Sequence, residues 1–164
     1  MRLDLGRIAK GCAADRVAEQ LASLGAVLVD AGGDTSISRS RPNGDPWTIA
    51  VAHPFESNKD VAVLHLDQGG VASSGRNYRR WENNGTPQHH LLDPRTGRPA
   101  ETDVMSATVI GAIAWQAEVA AKVVLIRGSV EALRWLEERN LAGLAILESG
   151  EVRFTPTIVP TLLG

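Results

Sequence analysis

His89-His90-Leu91-Leu92-Asp93-Pro94-Arg95-Thr96-Gly97-Arg98-Pro99 is the stretch from which the rest of the chain is read. Two histidines lead into an apolar pair, then an acid, a proline and a turn holding two arginines and a glycine. The apolar pair is expected to anchor a short buried strand, and Pro94 and Pro99 fix the backbone on either side of the Thr96-Gly97 turn. Such a strand, running out into a rigid loop, belongs to a sheet whose strands are joined by short turns. Histidine trades protons near neutral pH, so a strand-end imidazole beside a carboxylate suits general acid-base work. A structural histidine followed by a solvated turn is the plainer reading of the same residues.

Working outward, the run 105–110 reads as a strand, and 114–126 is helical by propensity. Gly128 ends that helix, and Ser129 is placed to cap a third helix over 130–139, in which Val130, Leu133 and Leu136 share a face. Residues 144–147 and 152–155 form a hairpin around Ser149-Gly150. Toward the N-terminus, 1–5 alternates like a strand end. Residues 9–24 form a helix whose Ala13, Val17, Leu21 and Leu24 are spaced to face a core, with Gly25 as its stop. Strands follow at 26–30 and through Ser38, joined by Ala31-Gly32-Gly33-Asp34, and then at 47–53 and 61–66. Residues 39–46 and 83–88 read as surface turns, and Ser73-Ser74-Gly75 as a loop offering hydroxyls. The fold class is α+β: one domain over 1–164, with a mostly antiparallel sheet and helices packed on one face.

The chain has 164 residues, enough for one core, and a formal charge of -2. Its basic residues are scattered among acids, which argues against a nucleic-acid partner. A single cysteine, Cys12, supports neither a disulfide framework nor a thiolate zinc site. Apolar runs are broken by charges before membrane-spanning length, and the N-terminus lacks a signal-type run, so the chain as written reads as cytoplasmic and without an export address.

Two glycine-bearing segments carry candidate ligand chemistry. Asp4-Leu5-Gly6-Arg7-Ile8-Ala9-Lys10-Gly11 places a lysine at a strand-to-helix turn, where free amides and the helix dipole favour phosphate. It lacks the Walker spacing, and the segment also serves simply as a turn. Asp30-Ala-Gly-Gly-Asp34 offers carboxylates and a close backbone approach, although two glycines suffice for a hairpin.

Taken in order, DLGRIAKG (4–11), AGGD (31–34), ASSG (72–75) and HHLLDPRTGRPA (89–100) resemble the ApbE family of FAD:protein FMN transferases, in its C-terminal half. The resemblance implies an ApbE-like, T-fold-like architecture, FAD as substrate, Mg²⁺ as cofactor, and transfer of FMN to a threonine hydroxyl of a target flavoprotein with release of AMP. On this sequence it implies His90 as general base and Asp93 holding it. Lys10 would face the phosphates, and Asp34, Ser73, Ser74 and Gly75 would line the nucleotide pocket. Family members often act on the outer side of the cytoplasmic membrane and carry a comparable length before the DLG segment. Beginning on that motif is expected to leave an open edge and to favour a homo-oligomer.

The family's metal site would fall on Ala9 and Glu118, where Glu118 replaces a usual Asp and Lys122 replaces a usual oxygen ligand. An ammonium has three donors and no acceptor, so it cannot ligate Mg²⁺. Glu118 and Lys122 also form an ordinary i,i+4 helix pair. Arg7 stands where the family has a second glycine. These departures leave two alternatives to a transferase: a FAD- or FMN-binding protein without transfer, and an inactive, incomplete chain.

Overall fold

The computed structural model describes residues 8–77, 80–83, 85–158 and 161–162; the expected strand at 1–5, and positions 4–7 of the first motif, lie outside them. In chain order the elements are α1 (Ala9–Leu21), β1 (Leu28–Asp30), β2 (Asp34–Ile37), β3 (Trp47–Ala52), β4 (Asp60–Leu66), β5 (Gly69–Gly75), β6 (Arg80–Asn83), β7 (Thr86–His89), β8 (Leu92–Asp93), β9 (Arg98–Pro99), β10 (Val104–Gly111), α2 (Ala114–Arg127), α3 (Ser129–Glu137), β11 (Ala142–Leu147), β12 (Val152–Phe154) and β13 (Thr161–Leu162). A six-stranded sheet in the order β1-β2-β5-β10-β11-β12 is antiparallel at every pair. The α+β expectation holds.

Strand alternation divides the interior into two cores. Ala107, Val109, Ala145 and Leu147 point to α2 and α3, joining Val124, Leu125 and Leu136. Their neighbours Leu144 and Ile146, with Val71 of β5, point the other way and meet Val51, Val61, Ala62 and Leu64 of the small sheet β13-β4-β3. Helices thus cover one face of the main sheet, and a second sheet backs the other. The excursion β6 to β9, which contains the two histidines, leaves from β5 and returns through β10, the two central strands.

Several expected packing faces are different in the structure. On α1 the buried positions are Gly11, Ala14 and Ala18, while Val17, Leu21 and Leu24 are exposed, Leu24 at 82%. The cause is close approach: a Cβ on Gly11 would lie 2.6 Å from the Trp115 backbone of α2, so only small side chains fit this contact. The helix ends at Leu21, short of Gly25. Residues 73–75 belong to a central strand rather than a loop, and 83–88 lie mostly in the hairpin β6–β7 with Asn83 opposite Thr86. On α3, Val130 is exposed and Ala132 takes its place beside Leu136. Ser129 is the first residue of that helix. The cap comes from Asp103, whose Oδ1 accepts the Ser129 N–H at 2.9 Å.

Candidate functional site

Among the described residues, four charged side chains meet where α1 begins, beside the β1–β2 turn and against α2. The turn is built by Asp30: its Oδ1 accepts the N–H groups of Gly32 and Gly33, both with positive φ, and its Oδ2 accepts the Thr35 hydroxyl. That arrangement starts β2 with Asp34 opposite Ala72, on the helix side of the sheet and 1% exposed. Lys10 Nζ lies 2.7 Å from Asp34 Oδ2 and donates to the Gly32 carbonyl at 3.2 Å. The ion-pair contact is off the hydrogen-bonding direction, so among the described residues neither Asp34 oxygen accepts a well-aligned hydrogen bond. Burial raises the Asp34 pKa, with Lys10 opposing it and nearby Glu118 adding to it.

Glu118 is the second buried carboxylate, also 1% exposed. Its Oε2 accepts the Gly11 N–H at 3.0 Å and its Oε1 accepts from Lys122 Nζ at 2.9 Å. The same ammonium reaches the Glu118 carbonyl at 3.3 Å. Glu118 thereby ties the first turn of α1 to the middle of α2. Asp15 makes the reciprocal tie, accepting the Ala114 and Trp115 N–H groups at 2.8 and 3.0 Å and capping α2 from α1. Sequence reading missed Asp15 and Gly11 as partners in this joint, because the bonds to Glu118 and Ala114 span 107 and 99 residues. The spacing of Gly11, Ala14 and Ala18 was the one local sign of a close helix contact.

The serines are separated. Ser74 lies opposite Ala107 and shares its helix side, whereas Ser73 points to the other face and pairs its hydroxyl with Thr108 at 2.7 Å. Gly75 ends the strand, buried.

The histidine segment is held at several points. Leu91 is 1% exposed and enters the helix-side core, a burial worth roughly 1.5–3 kcal/mol. Leu92 is exposed at 47%, so a single leucine anchors the strand rather than the expected pair. His89 accepts the Leu91 N–H at Nδ1, which leaves its Nε2 as the donor to the Ala100 carbonyl at 3.0 Å. Both His89 nitrogens are thus taken up by backbone. His90 follows at a bend, half-buried. Among the described residues, the hydrogen bonds to the Asp93 side chain come from Arg95, through its N–H, Nε and Nη2. Arg95 holds the Asp93 carboxyl below the usual carboxylate range and closes the turn that carries Gly97 at φ 67°.

Two concave surfaces, of about 570 and 520 Å³, lie away from these groups. One sits at the α2–α3 corner around Asp103, Ser129 and Trp135, the other along α1 around Cys12, Ile113 and Trp115. No residue of the lysine–carboxylate cluster lines either.

The sequence matches the profile of the ApbE family over residues 1–146. The chain belongs to the ApbE family. It is 34% identical over 151 residues to a Haemophilus influenzae FAD:protein FMN transferase, covering 90% of this chain and 44% of that one. The Salmonella typhimurium FAD:protein FMN transferase is 30% identical over 152 residues, with 91% and 43% covered. The chain spans less than half the length of these curated relatives. Its fold superposes on the crystal structure of the ApbE protein from Thermotoga maritima with a TM-score of 0.86 at 31% identity, covering 95% of this chain and 52% of that one. Against the flavin transferase ApbE from Vibrio cholerae the TM-score is 0.77 at 27% identity, with 94% and 51% covered.

The ApbE resemblance implies a divalent cation held by Ala9 and by α2 positions 118 and 122, and the donor set here does not fit one. Both Glu118 oxygens are already engaged, and position 122 carries an ammonium bonded to one of them. Ala9, the first residue of α1, can offer only its backbone carbonyl oxygen. Among the described residues no three His, Cys, Asp or Glu side chains come together to hold a metal ion.

Proposed function

We propose that this ApbE chain binds FAD and transfers its FMN moiety to a threonine hydroxyl of a target flavoprotein, releasing AMP. The observation that carries the reading is likeness across nearly the whole chain to proteins named FAD:protein FMN transferase, together with the Lys10 cluster at the start of α1. In the reaction the threonine oxygen forms a bond to the FMN phosphorus while the anhydride bond to AMP breaks, and AMP leaves with the electron pair. The hydroxyl proton must go to a base, and His90 is assigned that role. The fixed imidazole of His89 and the Arg95–Asp93 clamp stiffen the segment on either side of His90, so Asp93 acts by positioning the loop. Lys10 offsets phosphate charge. Ser74, on the helix side, is assigned to the nucleotide; Ser73 supports β10 from the opposite face.

The chain, incubated with FAD and a flavoprotein carrying an acceptor threonine, should make the acceptor fluorescent on a denaturing gel and release AMP one for one. FAD binding without either product would favour the second reading, a flavin-nucleotide binder. The closed Glu118–Lys122 pair is the observation in its favour.

A further inference from the structure

We infer that this chain excludes a divalent cation from α2 positions 118 and 122 and that the ammonium of Lys122, fastened there by Glu118, supplies in its place positive charge to a dinucleotide diphosphate. The ligand half of the inference rests on the flavin-transferase reading; the metal half rests on the geometry.

Glu118 is the carboxylate a cation at this point would need, and each of its oxygens already accepts a donor, one of them the Lys122 ammonium. A metal at roughly 2.0–2.1 Å would have to share an oxygen with the Gly11 N–H or the Lys122 ammonium, or displace one of them. Displacing the Gly11 N–H would strand a buried donor and remove one of the ties between α1 and α2. Releasing Lys122 would leave an ammonium beside a dication, since its side chain is only 18% exposed and springs from the next turn of the same helix. The other buried carboxylate nearby, Asp34, is already paired with Lys10.

The pairing of charges agrees. Among the described residues Lys10 pairs with Asp34 and Lys122 with Glu118. A dication would stand beside both ammoniums, whereas an arriving diphosphate finds them already in position. The two lysines differ in freedom. Lys10 is half-exposed and can turn toward a ligand, while Lys122 is held by its own helix and acts as a fixed charge.

The test uses the whole native chain and two variants. Titration with Mn²⁺ alone, followed by electron paramagnetic resonance of the free ion, should show no binding in the micromolar range. Calorimetry with FAD should give the same Kd in EDTA and in Mg²⁺ to within about twofold, and Lys122→Ala should weaken FAD by about tenfold or more, the loss of one charge-assisted contact. The paired change Glu118→Asp with Lys122→Thr should create Mn²⁺ binding and make FAD affinity depend on Mg²⁺. Micromolar Mn²⁺ binding by the native chain, or FAD binding that collapses in EDTA, overturns the inference whatever the variants do. A native chain that ignores FAD in both buffers overturns the flavin-transferase reading and the role of Lys122 toward diphosphate, while the Mn²⁺ titration still decides the exclusion of metal.

Discussion

Gly11 donates its N–H to Glu118 Oε2 at 3.0 Å, joining the first turn of α1 to the centre of α2 across 107 residues. A glycine is required there by space: its missing Cβ is what lets the two backbones come together. The same holds at Gly70 of β5, where a Cβ would lie 2.1 Å from the Ala114 nitrogen.

Gly11→Ala should therefore destabilise the fold by about 1–3 kcal/mol, although alanine is the better helix former by roughly 1 kcal/mol. Gly70→Ala should cost more, because its clash is with backbone at shorter range. Gly25→Ala, with no atom within 4 Å of the new Cβ, should be neutral or slightly stabilising. Urea midpoints of the three variants, compared at equal m-values, check the order; a Gly11→Ala midpoint at or above native would refute the close contact.

The two histidines should separate cleanly. His90→Ala is expected to leave FAD affinity near native and to lower FMN transfer by roughly 10²–10⁴. His89→Ala, losing bonds to Leu91 and Ala100, should instead lower the melting temperature. Transfer rates and thermal melts on both variants decide the matter, and native transfer by His90→Ala would remove it as the base.

Asp93→Asn breaks the clamp with Arg95 but does not touch the proposed base. Transfer should fall while the pH dependence of the remaining activity stays that of the native chain, since the proposed base is unchanged. A shifted pH profile would mean that Asp93 acts on His90 directly.

Asp103 sets an acid limit on the α3 end of the molecule. Burial works against its ionisation, but the Ser129 hydroxyl and N–H, with Arg153 nearby, outweigh that and lower its pKa. A carboxyl with a lowered folded pKa contributes stability above its unfolded value, near 3.8, and loses it as pH falls through the folded value. The native chain should accordingly lose more stability than Asp103→Asn between neutral pH and pH about 3, so that their melting temperatures converge on acidification. Parallel curves would show that Asp103 carries no such linkage.

Much of the architecture was readable from local pattern. The hairpin at 142–154, the strand over 104–111 and the helix over 114–127 follow from alternation, alanine-rich helical propensity and Gly128, whose φ of 82° ends α2. The ordered motifs likewise point to the ApbE family. Burial on α1 was not readable, because Val17, Leu21 and Leu24 have helical spacing yet face outward, and the smallest residues face α2. Hydrophobic periodicity identifies a helix face that wants burial, whereas the distance between two backbones decides which face obtains it. Nor could the sequence separate Ser73 from Ser74, whose opposite faces only strand register assigns, or His89, the last residue of β7, from His90 at the bend that follows. The identities of Glu118 and Lys122 were plain in the sequence, but whether they hold a metal or each other depended on Gly11, a residue 107 positions away that tertiary packing brings within one hydrogen bond.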